Sequence, residues 1–496
     1  MALGLLLPAA LAAQTTTRQI YQEEAWKALR AAKLDDAERL FRAAIKDAEA
    51  AGVQDALFGH HLRGLGLTLN RQGKLAEGEA LLRRALSVSE RTEPNTSNFT
   101  LCLSDIADLE FRKDNLAEAL RLYQRGLGIL EGLSNPDQGA LAAVLGGVGS
   151  IYVEQRRFAE AEPLLKRAVA ARDKDPDTTP GLKAGSLGQL GMLYYWQGRY
   201  SEGEPHLRRA LVLREEEFGS AHPSVAGSLH SLAMIAGARG NATEAEALYK
   251  RALSIRETAL GAEHPSLAST LNNLANIYAN DARFAEALAL HRRSLAINEK
   301  AYGAGDNSVA LSLGNIAGIY INQGQFVEAK PLLDRTLAIR EKVFGLNSAQ
   351  VADTAASFAA WNAEQGRLAD AETWHRRALD IRQKVYGASH RFLTGSIRGL
   401  AESAFTRGGD AEALDLLKRA RVILRDSTEA LSDEAPRLLK SAAAAEAARK
   451  PTEAKHLYSR ACGDYTPTGD PPGPNDAACL EKLAAAYARE GNTGLA

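Results

Sequence analysis

Five glycines, Gly219, Gly261, Gly303, Gly345 and Gly387, fall 42 residues apart, and each follows Phe, Leu or Tyr. A fixed period of this length constrains the fold more than any composition can, because every period must be one structural unit that stacks on its neighbours. Around these glycines the chain restates one phrase. Its clearest copy runs from His264 through Leu271, Leu274, Ala275 and Tyr278, and continues through Phe284, Ala287 and Ser294 to Leu295. Within a unit, apolar residues recur at spacings of three and four over two stretches, which predicts two amphipathic helices.

Small residues explain how such units can stack. Counting from the first Leu of each L-x-x-L-A phrase, the fourth residue on is Gly66, Ala107, Gly149, Gly191, Ala233, Ala275, Ala317, Ala359 or Ala401. A second small position follows at Ala85, Gly126, Ala168, Ala210, Ala252, Ser294, Thr336, Ala378 and Ala420. Two helices approach closely only where side chains this small meet. The turns inside the units carry Gly73, Gly198, Gly240, Gly324, Gly366 and Gly408, as a left-handed backbone requires. Asp114, Arg156 and Ala282 stand at that place in three units, predicting turns that are strained or differently shaped. Pro223 and Pro265, each after a His, suit the first turn of the next helix.

The L-x-x-L-A-x-x-Y core at Leu271, Leu274, Ala275 and Tyr278, with Ala287 and Ser294, resembles the tetratricopeptide repeat. The 42-residue period resembles its longer, kinesin-light-chain-type variant, common in bacterial proteins. The resemblance implies an all-α fold, a right-handed superhelical α-solenoid of stacked antiparallel helix pairs with about 11–12 units. Along the chain it reads as a capping helix pair over 14–54 and nine repeats of 41–42 residues over 55–431. A degenerate repeat over 432–462, a Pro-rich loop over 463–478 and a terminal half-repeat over 479–496 follow.

In the family the concave wall is lined by first helices, at offsets -2, +1, +2, +5, +8 and +9 from the origin Leu. Carried over, these offsets give Gln189, Met192, Tyr195 and Trp196, then His230, Ser231 and Met234. Next come Asn272, Asn273, Asn276 and Asn280, and after them Asn315, Ile321 and Asn322. Met192 and Met234 beside the aromatic pair suit an adaptable apolar pocket, or else fill gaps between helices. The Asn cluster is the sharper signal. An amide both donates and accepts, so it can pair with the backbone of an extended peptide whatever its sequence, the alternative being pairing within the stack. Members that grip a terminal carboxylate combine such an Asn pair with Lys and Arg. Here Asn276 and Asn315 are present, but Asn272, Asp353 and Ser357 replace the cations, which favours an internal segment of an extended partner.

Composition sets the exclusions. Lys+Arg 60 against Asp+Glu 61 leaves a net charge of -1, so nucleic acid, which needs a basic stripe, is not expected as partner. No apolar run approaches the roughly 18 residues of a membrane span. Metal and phosphate motifs such as HExxH and GxxxxGK[ST] are missing, as is the GxSxG elbow, so neither an enzyme nor a cofactor is expected. His60 and His61 are adjacent and point apart on a helix, making a poor metal pair. Residues such as Glu244, Glu246, Lys250 and Arg251 read as a solvated outer face.

Residues 1–13 are apolar, and Ala10-Leu11-Ala12 fits a signal-peptide cleavage pattern. That predicts export to the periplasm or beyond, the alternative being an apolar tail on a cytoplasmic protein. On export, Cys462 and Cys479 can close the Pro-rich loop as a disulfide, or else they are two small buried side chains. The leading functional expectation is a scaffold holding a protein or peptide partner. A regulatory subunit acting with a separately encoded effector, and self-association through the C-terminal half-repeat, are the rivals.

Overall fold

The computed structural model describes residues 18–426, apart from Ala32 and Gly408. The signal-peptide reading, the turn at Gly408, the Cys462–Cys479 pairing and the units assigned to 432–462, 463–478 and 479–496 lie outside the described residues. The chain divides into two compact units between Leu190 and Gly191, inside one helix.

The first unit contains α1 (18–30), α2 (Leu34–Ala50), α3 (Ala56–Arg71), α4 (Leu75–Thr92), α5 (Ser97–Arg112), α6 (Leu116–Gly132), α7 (Gln138–Glu154) and α8 (Phe158–Lys174). Helix α9 (Pro180–Trp196) carries the division. The second unit continues with α10 (Tyr200–Phe218), α11 (Pro223–Ala238), α12 (Ala242–Leu260), α13 (Leu267–Asn280), α14 (Phe284–Tyr302), α15 (Asn307–Asn322) and α16 (Phe326–Phe344). It ends with α17 (Ala349–Ala363), α18 (Leu368–Tyr386), α19 (Thr394–Thr406) and α20 (Asp410–Asp426). The described chain is thus an all-α stack of helix pairs, the architecture the repeat predicts.

Close approach happens where the small residues stand. A Cβ added to Gly66 would sit 2.8 Å from Leu82 Cγ and 2.9 Å from the Gly78 carbonyl oxygen, so α3 and α4 meet almost backbone to backbone. Ala85, Ala107, Ala233, Ala252, Ala275 and Ala317 are fully buried. From α3 to α8 and from α11 to α20 each odd-numbered helix packs on the next even-numbered one, and odd-numbered helices also touch each other: α5 with α7, α11 with α13, α13 with α15, α15 with α17. Within each unit the first helices of successive pairs therefore share a face.

Second helices are tied by charge instead. In the second unit Arg251 reaches Glu215, Arg293 reaches Glu257, Arg335 reaches Glu299 and Arg377 reaches Glu341, at 2.5–2.6 Å. These ion pairs recur with the repeat, one acid matched to one base each time. Exposed pairs of this kind each contribute well under about 1 kcal/mol, so they set register more than stability.

The turns settle the question left by Asp114, Arg156 and Ala282. All three adopt positive φ, at 62°, 59° and 58°, so their turns are not differently shaped. The turn at Ala282 keeps the bonds Ala282 N–H to Ala279 O (3.0 Å) and Arg283 N–H to Tyr278 O (2.8 Å). The Gly240 turn has the same pair, to Gly237 O and Ala236 O. Two reciprocal bonds hold the shape, and the residue bears the strain, about 1 kcal/mol for a side chain in the left-handed region. Ala282→Gly should accordingly stabilise the chain by up to about 0.5 kcal/mol in urea unfolding, the relief of strain being trimmed by glycine's extra unfolded-state entropy. A loss of stability would contradict this reading of the turn.

Candidate partner-binding face

The first helices of the second unit present the residues singled out by the repeat offsets, and the structure sorts them into three groups. The first group is apolar. Tyr195 is buried, edge-on to Trp196 with centroids 5.1 Å apart and 5.8 Å from the Tyr200 ring. Met192, Trp196 and Met234 are partly buried around Tyr195, Tyr200, Leu207, Leu232 and Ile235. Both methionines thus fill gaps between helices while keeping some surface open, combining the two roles the sequence offered. Ile321 is a core residue, 7% exposed.

Polar side chains committed to the stack form the second group. Asn272 is 4% exposed; its carbonyl accepts from His291 Nδ1 at 2.8 Å and its amide faces Ser312 Oγ at 3.4 Å. It joins α13 to α14 and α15 and presents nothing outward. His230 contacts Thr270 Oγ1 through Nδ1 (3.2 Å), and the Asn273 amide approaches its Nε2 at 3.4 Å. An amide donor there leaves the ring proton on Nδ1. Burial, with the nearby Arg256 charge second, pushes the His230 pKa down to about 4, so the ring is neutral. Gln189, in the first unit, donates to Ser150 Oγ at 3.0 Å and lies 3.4 Å from Gly146 O.

The third group is unspent. Asn276 is half-buried, Asn280 and Asn322 are exposed, and Asn315 is 8% exposed. None of these four amides makes a side-chain hydrogen bond among the described residues, and none is buried without a partner. Asn276, Asn280 and Asn322 keep their amides open to solvent, whereas Asn315 is largely buried and reaches the face only at its edge. Of the residues replacing the clamp cations, Asp353 accepts from Arg382 Nη2 at 2.8 Å.

A polar cluster in the first unit went unnoticed in the sequence. Gln22, Trp26, His60, Arg63 and Asn98 line a cleft of about 180 Å³. Arg63 lies over the Trp26 ring at 5.5 Å and grips Asp105 with two bonds, Nε to Oδ2 at 2.5 Å and Nη2 to Oδ1 at 3.3 Å. Desolvation drives the Asp105 carboxyl upward, and the adjoining guanidinium opposes it. The repeat register carried the signal, since Arg63 stands at +1 and Asp105 at +2 of the next unit. His60 contacts Glu93 Oε1 at 2.9 Å, while His61 turns inward to Arg18 O at 3.2 Å, so the pair does point apart.

A second cleft of about 330 Å³ is lined by Glu204, Arg208, Arg239 and Glu244 from α10 to α12, and its charges pair with one another. Among the described residues, no three His, Cys, Asp or Glu side chains converge on a metal-sized site, and no helix is long and apolar enough to cross a membrane.

No curated protein matches the chain. Among solved structures, a Rap protein complexed with Competence and Sporulation Factor is 16% identical at a TM-score of 0.56, covering 74% of this chain and 98% of its own. That likeness concerns the fold alone. BtubC (BKLC) from P. vanneervenii is 24% identical, with a TM-score of 0.39 and coverage of 48% and 92%. The nearly identical TPR-like repeats of a Podosopora anserina protein assigned to the kinesin light chains are 26% identical, with a TM-score of 0.36 and coverage of 43% and 99%. Models of the tetratricopeptide repeat match residues 23–94, 99–174, 182–257, 224–300, 308–384 and 355–426, well over half the sequence. With helix pairs stacked through small residues at the 42-residue period, the chain belongs to the tetratricopeptide repeat family.

Proposed function

We propose that the chain is a non-enzymatic scaffold that holds an extended peptide or protein along the first-helix face of α11, α13 and α15. The observation that carries this reading is the row of unspent amides at Asn276, Asn280, Asn315 and Asn322. Amides without a partner in the stack, together with a partly open Met and Trp surface, are suited to pairing with backbone and seating one apolar side chain. Charge supports the same choice, because Arg251, Arg293 and Arg335 on the outer second helices are already paired with Glu215, Glu257 and Glu299 of the preceding repeat.

The test is capture from native extract by the full chain and by an Asn276→Ala, Asn315→Ala variant of unchanged helicity. The variant should lose at least tenfold in affinity for the captured partner, as two backbone-pairing amides contribute about 1 kcal/mol or more each. An identical partner set at identical affinity would move binding off this face.

A further inference from the structure

Arginines recur on the second helices of the second unit, at Arg214, Arg256, Arg340 and Arg382, with Asn298 at the one break in the 42-residue series. They share one posture. Nη1 of Arg214 donates to Ser228 Oγ (2.6 Å), that of Arg256 to Thr270 Oγ1 and Ser266 O, and that of Arg340 to Thr354 Oγ1 and Gln350 O (both 3.0 Å). Nη1 of Arg382 donates to Ser396 Oγ at 2.8 Å. Each guanidinium is thereby anchored against the first helix of the next pair.

At Arg382 the chain itself shows what this posture accommodates. Asp353, 29 residues earlier on first helix α17, places Oδ1 2.8 Å from Arg382 Nη2, with a third of its side chain still exposed. The residue 29 before Arg256 is Gly227. There the carboxylate is missing and so is any side chain. A Cβ added to Gly227 would meet nothing within 4 Å except Arg214 Nη1, at 3.8 Å. Position 227 thus stands beside Arg214 directly and takes the place of Asp353 with respect to Arg256. Neither arginine has an acidic partner among the described residues, and burial alone pushes both pKa values down. Two guanidinium groups thus carry charge that no acid among the described residues balances, beside a position without a side chain on the first-helix face.

We propose that Arg214 and Arg256, flanking Gly227, form a binding site for a carboxylate carried by the partner, with the Asp353–Arg382 pair as its internal template. This rests on the first-helix face being the binding face. Arginine's fork of donors suits a carboxylate, and each Nη1 is already held by a hydroxyl, so little ordering is lost on binding. The ligand carboxylate is an acidic side chain, as in the template, or a chain terminus.

Two probes with one carboxylate each separate these sources: N-acetylglutamic acid α-amide, carrying only the side-chain group, and N-acetylglutamine, carrying only the terminal one. Added to the full chain at matched ionic strength, one of them should raise the unfolding midpoint saturably by about 1–3 °C. Gly227→Asp should raise the midpoint without probe, relative to Gly227→Asn of equal size, and should abolish the probe response. Arg214→Gln with Arg256→Gln should erase the advantage of Asp over Asn, which excludes a helix-dipole effect. If that arginine variant fails to fold, the Gly227 pair alone decides. No protection by either probe, protection that persists in Gly227→Asp, or an Asp no better than Asn overturns the site. Should the probes protect while the Asn276 and Asn315 variant retains its partner, the carboxylate site stands and the proposed binding face fails.

Discussion

Asp105→Ala is expected to destabilise the first unit by about 3–5 kcal/mol, the usual cost of stranding one member of a buried ion pair. The two side chains are 17% and 10% exposed, and Trp26 lies against the Arg63 guanidinium, so water replaces the lost carboxylate poorly. The penalty lies in the orphaned charge more than in the lost attraction. Replacing both partners, as Arg63→Met with Asp105→Leu, should therefore recover most of the loss. A solenoid opens locally, so the readout is amide hydrogen exchange in α3 and α5, with α13 and α15 as the unaffected reference. Wild-type protection of α3 and α5 in Asp105→Ala would show that the pair is solvated and contributes little.

Acid should weaken both units through buried histidines. His61 and His291 have no exposed surface, and burial pushes each pKa down to about 4. The reason is visible in each ring. His61 turns Nε2 to Arg18 O and His291 turns Nδ1 to Asn272 Oδ1, while His61 Nδ1 and His291 Nε2 are buried without a partner. A second proton would place a charge where nothing accepts it. The folded pKa is the lower one, so as pH falls below about 6.5 the unfolded chain takes up protons first. Stability is whole above that pH and declines as pH drops toward 4, by about 2 kcal/mol per histidine at pH 5. His291→Gln should make the pH dependence of the second unit shallower, without abolishing it because burial also holds the pKa values of His230 and His375 at about 4, and should leave that of the first unchanged. Equal slopes for wild type and variant would mean that His291 is protonated in the folded protein.

The architecture was legible because its determinants repeat. Glycine at 219, 261, 303, 345 and 387 marks a backbone with φ of 78–89° and ψ of 156–169°, a region essentially closed to other residues. What did not repeat was harder to read. Asn272 and Asn276 both lie at wall offsets, yet one is buried and the other open, because of a residue on another helix. His291 stands where the neighbouring pairs carry Tyr249 and Leu333, and a buried imidazole must find an acceptor. Asn272 supplies it and is withdrawn from the face. At Asp114, Arg156 and Ala282 the sequence left strained and differently shaped turns both open, because local preference opposes a left-handed backbone there and two hydrogen bonds per turn override it. The Arg63–Asp105 pair was written in the register, one residue at +1 and one at +2, but it joins successive units that no local pattern compares.

The central claim, that a partner lies along the first helices, is tested most directly by hydrogen exchange on the full chain with and without its captured partner. The account predicts added protection in α11, α13 and α15, strongest around Asn276 and Asn315, with α14 and α16 unchanged. Protection confined to the second helices, or to residues outside both sets, would contradict it.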